Sequence, residues 1–282
     1  VNIRRAEVQT FYSPWLVETQ FYHNTAVLPL GAFGTIGVSF TALTMDEMMV
    51  RTVQDPEPSE YGERFDAGNL AMGITFAKKL TDRFSFGFKT KFIQESIWQM
   101  SAKGFAIDIG TLFITKKDLR IGMSVSNFGG KLGMEGVNTL VDIDVDENIY
   151  GNNDRIDGSL GTSKWPLPLL FRFGLSRELI FSDKVKCLIA VDAIHPNNNP
   201  EYPNIGMEWS AMDILFLRFG KSHSFYELKF NDGVDRGPEQ GLSFGGGVRY
   251  RIPRGPMLEV NYVLTNFGVF NDIQGYSISM QF

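Results

Sequence analysis

The chain has 282 residues, 27 basic against 32 acidic side chains and a formal net charge of −5. That balance excludes a basic nucleic-acid footprint, and a single cysteine, Cys187, excludes an internal disulfide framework and a cysteine-cluster metal site. No run of about 20 apolar residues occurs, which excludes a helical membrane protein but not a membrane barrel, whose strands hide their hydrophobicity by alternation. The 24 Phe and 29 Gly suit strands that face lipid and turn corners. The sequence begins at Val1 rather than Met and shows no signal peptide, which reads as a mature chain or a fragment lacking its N-terminus.

Period-two alternation runs almost from end to end. Strands are predicted at 6–12, broken by Ser13-Pro14, and at 18–28, stopped by Pro29-Leu30-Gly31. A long strand follows over about 33–52, with Ile36, Val38 and Phe40 on one face. An acidic, proline-containing loop covers 53–63. Leu70, Met72, Ile74 and Phe76 mark the next strand; Phe84, Phe86, Phe88 and Phe92 mark the one after it. Trp98-Gln99-Met100 leads into Phe105, Ile107, Ile109 and Phe113. After the turn at 116–118 come Leu119, Ile121, Met123 and Val125.

Residues 129–164 lack periodicity and read as one long loop. Strands resume over 167–175, 185–193, 205–209, 215–219, 242–250 and 258–264, with polar loops at 195–203 and 222–239. The last residues alternate Tyr276, Ile278, Met280 and Phe282 with Ser277, Ser279 and Gln281 and stop on the terminal aromatic. As an exposed edge in a soluble protein such a strand would be an aggregation hazard. As the closing strand of an outer-membrane barrel, its apolar face meets lipid.

The pattern predicts an all-β, transmembrane antiparallel β-barrel of about 14 strands, a single domain over residues 1–282. Short turns alternate with long loops along the chain, which defines two ends. In membrane barrels the short turns are periplasmic and the long loops face outward. An even strand count then leaves both termini periplasmic, in the bacterial outer membrane, with outer-membrane lipid as the partner of the apolar faces. Lys89, Lys91, Asp108, Arg120, Arg172, Asp192, Glu208, Arg218, Arg249 and Glu259 share the polar parity. A Lys or Arg on the lipid face near the bilayer centre costs roughly 2–4 kcal/mol, so these charges are assigned to the lumen.

Candidate chemistry is sparse. His23, His195 and His223 belong to no H-E-x-x-H helix, and no G-x-S-x-G elbow occurs. No enzymatic activity, cofactor or metal is therefore expected. Asp142, Asp144 and Asp146 open like a calcium loop, but Glu147 stands where an EF-hand needs glycine and Asn153 where it needs the bidentate Glu. A solvated acidic loop is the better reading. Gly245-Gly246-Gly247 lies mid-strand and marks a bend or a close approach rather than a phosphate loop. Cys187 shares parity with its apolar neighbours and is assigned to the lipid face. Trp15, Trp98 and Trp165 fall at the outer rim, as an interfacial girdle or as anchors for a protein partner. With Asp142, Asp144, Asp146, His195 and Tyr226 they form the set of candidate partner-binding residues.

Six segments carry a family resemblance: L80-T-D-R-F-S-F-G-F88, F92-I-Q-E-S-I-W98, G104-F-A-I-D-I-G-T-L112, S126-N-F-G129, W165-P-L-P-L-L-F-R172 and V191-D-A-I-H-P-N197. In order and together, they make the chain resemble the PorV/PorQ family of outer-membrane proteins, related to the FadL-type fatty-acid channels. The resemblance implies a FadL-like fourteen-stranded barrel and a role in type IX protein secretion. Members bind the C-terminal signal domain of exported cargo at the large translocon barrel. They pass it to a surface attachment complex with a sortase-type peptidase and are not themselves enzymes. The family's usual glycine-rich start with an Asn-Pro-Ala motif, packed as a lumen hatch, does not occur in this sequence. A non-enzymatic accessory barrel is thus the leading expectation. A FadL-like passive channel for hydrophobic solutes, with an acyl chain or lipid in its lumen and an apolar pocket opening sideways at a strand kink, is the alternative. A structural subunit of an envelope assembly is the third.

Overall fold

The computed structural model describes residues 5–144, 156–222, 241–268 and 272–282. Fourteen strands form one antiparallel sheet that closes on itself: β1 (Glu7–Pro14), β2 (Gln20–Pro29), β3 (Thr35–Thr44), β4 (Ala67–Lys79), β5 (Phe84–Ile97), β6 (Met100–Ile114), β7 (Leu119–Gly129), β8 (Leu170–Ser182), β9 (Val185–Pro196), β10 (Tyr202–Ala211), β11 (Leu215–Ser222), β12 (Leu242–Arg251), β13 (Met257–Asn266) and β14 (Asp272–Gln281). Each strand pairs with its neighbours in sequence. The seam is β1 against β14, with Tyr12 opposite Tyr276 and Glu7 opposite Gln281. Closure removes the exposed edge that the apolar last strand would otherwise present. The amide of Phe282 extends the seam by donating to the Ala6 carbonyl at 2.9 Å.

Connections at one end are short, at 80–83, 115–118, 183–184 and 212–214 for example. At the other end lie 45–66 and 130–169. Both termini of the described chain sit at the short-turn end. The structure corrects three boundaries. The third strand ends at Thr44, not 52; beyond it Met48–Met49 pairs with Arg64–Phe65 within the loop. The eighth begins at Leu170, not 167, because Pro168 has no N–H to give a ladder. The loop after β7 is not featureless: Leu140–Ile143 pairs with Ile156–Ser159, and Lys131–Leu132 with Trp165–Pro166.

Side-chain parity follows the register. Phe40, Met72, Phe88, Phe105 and Ile109 stand exposed on the outer wall. Their cross-strand rows repeat around the sheet, Phe40 opposite Met72 and Phe88 opposite Ile109. The ten assigned charges hold the opposite parity and face the lumen. Arg177 departs from the rule. It lies opposite Leu119 and Ile189 on the outer face, beside the start of β7, where a long side chain can reach toward a polar interface. Cys187 has the outward parity expected but is only 2% exposed. Trp209 lies opposite it, and Phe181 stacks on Trp209 at 5.4 Å.

Glycines on the inner wall make room for those charges. Gly174 lies opposite Asp192, Gly245 opposite Arg218. A Cβ on Gly174 would collide with the Asp192 carboxylate, one on Gly73 with the Lys89 stem, and one on Gly247 with the Asn261 amide. The volume that a side chain would fill on one strand is thus occupied by the charged or polar side chain of its neighbour.

Candidate functional site: an apolar mouth over a charged belt

The middle of the lumen is a polar belt. On one side it neutralises itself. Arg218 donates through Nε to Glu208 at 2.6 Å and through Nη1 to Asn261 Oδ1 at 2.6 Å, and its Nη2 lies 3.6 Å from Glu259. Arg249 pairs with the same Glu259 at 2.8 Å and stacks over the Phe216 ring at 4.6 Å. Charge-assisted bonds of this kind are roughly twice as strong as neutral ones, so the cluster is a stiff wall rather than a free ion site. Beside it lies a cavity of about 440 Å³ of mixed lining, with Gln9, Arg218, Glu259 and Ser277 beside Phe11 and Val263. Across the lumen, a second cavity of about 480 Å³ is lined by Lys89, Arg172, Asp192 and the glycines Gly87, Gly110, Gly122 and Gly174.

Toward the long-loop end the lumen turns apolar. On the β5–β7 side, Leu132 and Leu167 from the long loop pack against Ala102 and Ala106 of the inner wall, with Ile93, Met134 and Trp165 around them. Leu132 is fully buried, and its side chain fills the place of a Cβ on Gly104. Burying two leucines is worth about 1.5–3 kcal/mol each, enough to hold a loop segment against the wall. On the β1–β2 side, Phe11 and Phe21 meet edge to face at 6.0 Å, and Trp15 bridges Phe21 and Phe267 at 5.9 and 5.5 Å.

The wall itself changes beneath the first of these clusters. Between Ile107 and Ile109 the β6–β7 register slips, with Ser126 and Asn127 on β7 against Asp108 alone on β6. This is a β-bulge, and Asn127 takes a left-handed φ of 63°. Its amide N–H donates to Asp108 Oδ1 at 2.8 Å, so the carboxylate caps the extra residue. Lys91 Nζ lies 2.7 Å from the same oxygen and also donates to the Asn127 side-chain carbonyl. Asn127 Nδ2 in turn donates to the Pro168 carbonyl at 2.9 Å. Above the bulge the β6–β7 ladder stops at Ala106–Gly129, and the chain rejoins β6 only at Glu135–Gly136, opposite Ser101–Met100. Residues 130–134 detour inward instead. Asn197 closes the arrangement: its N–H donates to Leu169 O at 3.0 Å and its Nδ2 to Leu167 O at 3.4 Å.

Five of the six segments singled out in the sequence therefore meet at this one place. Asp108, Asn127, the Trp165–Leu169 stretch and Asn197 touch directly, and Ile93, from the segment 92–98, packs on the same cluster. The predicted partner-binding residues are scattered by comparison. Trp15 joins the aromatic mouth cluster. Trp98, with a left-handed φ of 50°, forms the two-residue connection between β5 and β6 at the rim. Trp165 packs on the apolar cluster inside the mouth. Asp142 sits opposite Asp157 in the loop hairpin, with Asp144 just beyond. His195, at the end of β9, pairs at 2.8 Å with Glu201 of the exposed 197–201 connection. Asp146, Tyr226, His223, Glu147 and Asn153 lie outside the described residues. Among the described residues no cluster of His, Cys, Asp and Glu has the geometry for a metal ion. His23 bonds Thr41 at 2.7 Å in the lumen.

The cup of Ala102 and Ala106, filled by Leu132 and Leu167, has no counterpart among the expectations from the sequence. Its signal was Gly104 and Gly129, inward-parity glycines facing two leucines in a loop without periodicity, which only a fold can connect.

The fold is that of FadL-like outer-membrane barrels. It superimposes on the toluene transporter TbuX of Ralstonia pickettii with a TM-score of 0.52 and 11% identity, covering 98% of this chain and 87% of that one. For the toluene transporter TodX of Pseudomonas putida the TM-score is 0.54 at 10% identity, covering 99% and 88%. For a FadL homologue of Pseudomonas aeruginosa it is 0.52 at 10% identity, covering 100% and 90%. No protein-family model and no curated protein matches the chain. These likenesses concern architecture: a closed antiparallel barrel of fourteen strands.

Proposed function

We propose that this chain is a passive channel of the bacterial outer membrane for small hydrophobic solutes. The observation that carries the reading is the apolar cup at the mouth, filled by Leu132 and Leu167 and built on the inner wall where the β6–β7 ladder is interrupted. A polar pore has no use for buried Leu132 and Leu167 above its charged belt, whereas a solute that displaces these side chains from Ala102 and Ala106 takes over apolar contacts worth about 25 cal/mol for each Å² covered. In this reading the long loops face outward, both termini are periplasmic, and the solute passes from the cup toward the interrupted ladder rather than down the charged belt. Similarity of architecture to two toluene transporters supports it. The test is binding of an apolar fluorophore to the purified barrel. Toluene is expected to displace it, and Leu132→Asp with Leu167→Asp to abolish binding while the barrel stays folded. Binding unchanged in that variant would sink the reading.

A second reading keeps the accessory role in type IX secretion, as a member of the PorV/PorQ family binding the translocon barrel and cargo signal domains through the outer end. What favours it is that five of the six segments carrying that resemblance converge on one built site. Trp15, Trp98, Asp142, Asp144 and His195, all at the long-loop end, are its candidate contacts, with Trp165, Asp146 and Tyr226. A pull-down from the native host that recovers neither translocon nor cargo domain rejects it.

A further inference from the structure

The segments 131–134 and 162–168 cross the inner wall as one strap. They are tied to each other by the Lys131–Leu132 and Trp165–Pro166 pairing and by Thr162 Oγ1 donating to Met134 O at 2.7 Å. Two different attachments hold the strap to the barrel. Leu132 and Leu167 bury against Ala102 and Ala106. The polar attachment is a chain: Lys91 to Asp108, Asp108 to the Asn127 amide, Asn127 to Pro168 O, with Asn197 holding Leu167 O and Leu169 O from the other side. The lumen beneath is not packed. It holds cavities of about 480 and 440 Å³, and among the described residues neither Lys89 nor Arg172 has a carboxylate within 4.0 Å.

We propose that the barrel carries a second, latent activity: a water-filled path for small ions, kept shut by this strap and released through the Lys91–Asp108–Asn127 clamp. Buried charged pairs are unsuited to adding net stability but well suited to a two-position device, because breaking one member leaves the other costly in place. The clamp touches the strap by one hydrogen bond, Asn127 Nδ2 to Pro168 O, beside the Asn197 bonds and the leucine burial, so its loss shifts the strap toward release without removing a wall strand. Asn127 supplies both the left-handed bulge and the hydrogen bond, and glycine preserves the first while deleting the second. The proposal is independent of which hydrophobic solute uses the cup, since its readout is current carried by potassium chloride.

The test uses the full chain in planar bilayers, with heat-modifiable gel migration to confirm folded barrels. Asp108→Asn and Asn127→Gly are expected to raise single-channel open probability about tenfold over the parent, the factor that one charge-assisted hydrogen bond represents. In the Asp108→Asn background, Gly104→Cys and Leu132→Cys joined by a short reducible thiol cross-linker are expected to return the current to the parent level, and reduction to restore it. Cys187, buried on the opposite face, is the only other thiol. Parent-level current in both folded variants, or current that persists with the strap bridged, overturns the proposal. Fluorophore binding in the cup is measured on the same samples, so failure of the strap is distinguished from failure of the channel reading.

Discussion

At the residue scale, the inner wall works by complementary omission. Gly247 leaves space for the Asn261 amide, which joins Arg218 to Ser277 Oγ at 3.2 Å across three strands. Gly247→Val is therefore expected to cost about 1–3 kcal/mol by overpacking, seen as a lower urea midpoint for barrel unfolding. Gly246, of outward parity, has only Phe216 O near the place of a Cβ, at 3.7 Å, and Gly246→Ala should move the midpoint little. Equal shifts for the two would remove the packing argument. The triple glycine was legible in the sequence as a close approach, because mid-strand glycine has few other uses. Which neighbour approaches was not, since Arg218 lies 29 residues before Gly247 and Asn261 14 residues after it, on the two strands that flank it.

At the scale of the element, the strands are written in period two, and the parity of ten charges marks the inside of the barrel in the sequence itself. Boundaries failed where a proline or a loop pairing intervened, at Thr44 and Leu170. The strap was illegible for a different reason. Leu132 with Met134 and Trp165 with Leu167 alternate for a single step each, too short to mark a strand, and their partners Ala102, Ala106 and Ile93 lie on β5 and β6. Such contacts follow from closure of the barrel, not from local propensity. The last strand carries its own prediction. Deleting Phe282 removes the aromatic end of the seam and the bond to Ala6 O, and is expected to lower the fraction of chain assembled in the membrane several-fold, read by heat-modifiable migration. Unchanged insertion would show that β1–β14 pairing closes without it.

At the scale of the molecule, a closed barrel with short turns at one end and long loops at the other separates two tasks. The belt of Glu208, Arg218, Arg249 and Glu259 stiffens the wall, while the loop after β7 supplies the apolar mouth and interrupts one ladder. That division is what the channel reading requires. Its most direct measurement is toluene uptake by intact bacterial cells whose outer membrane lacks other hydrocarbon channels, carrying either this barrel or its Leu132→Asp, Leu167→Asp variant at equal folded abundance. Uptake several-fold above empty cells, falling to the empty-cell rate in the variant, is the predicted result. Uptake indistinguishable from empty cells with the parent barrel folded in the membrane would contradict the account.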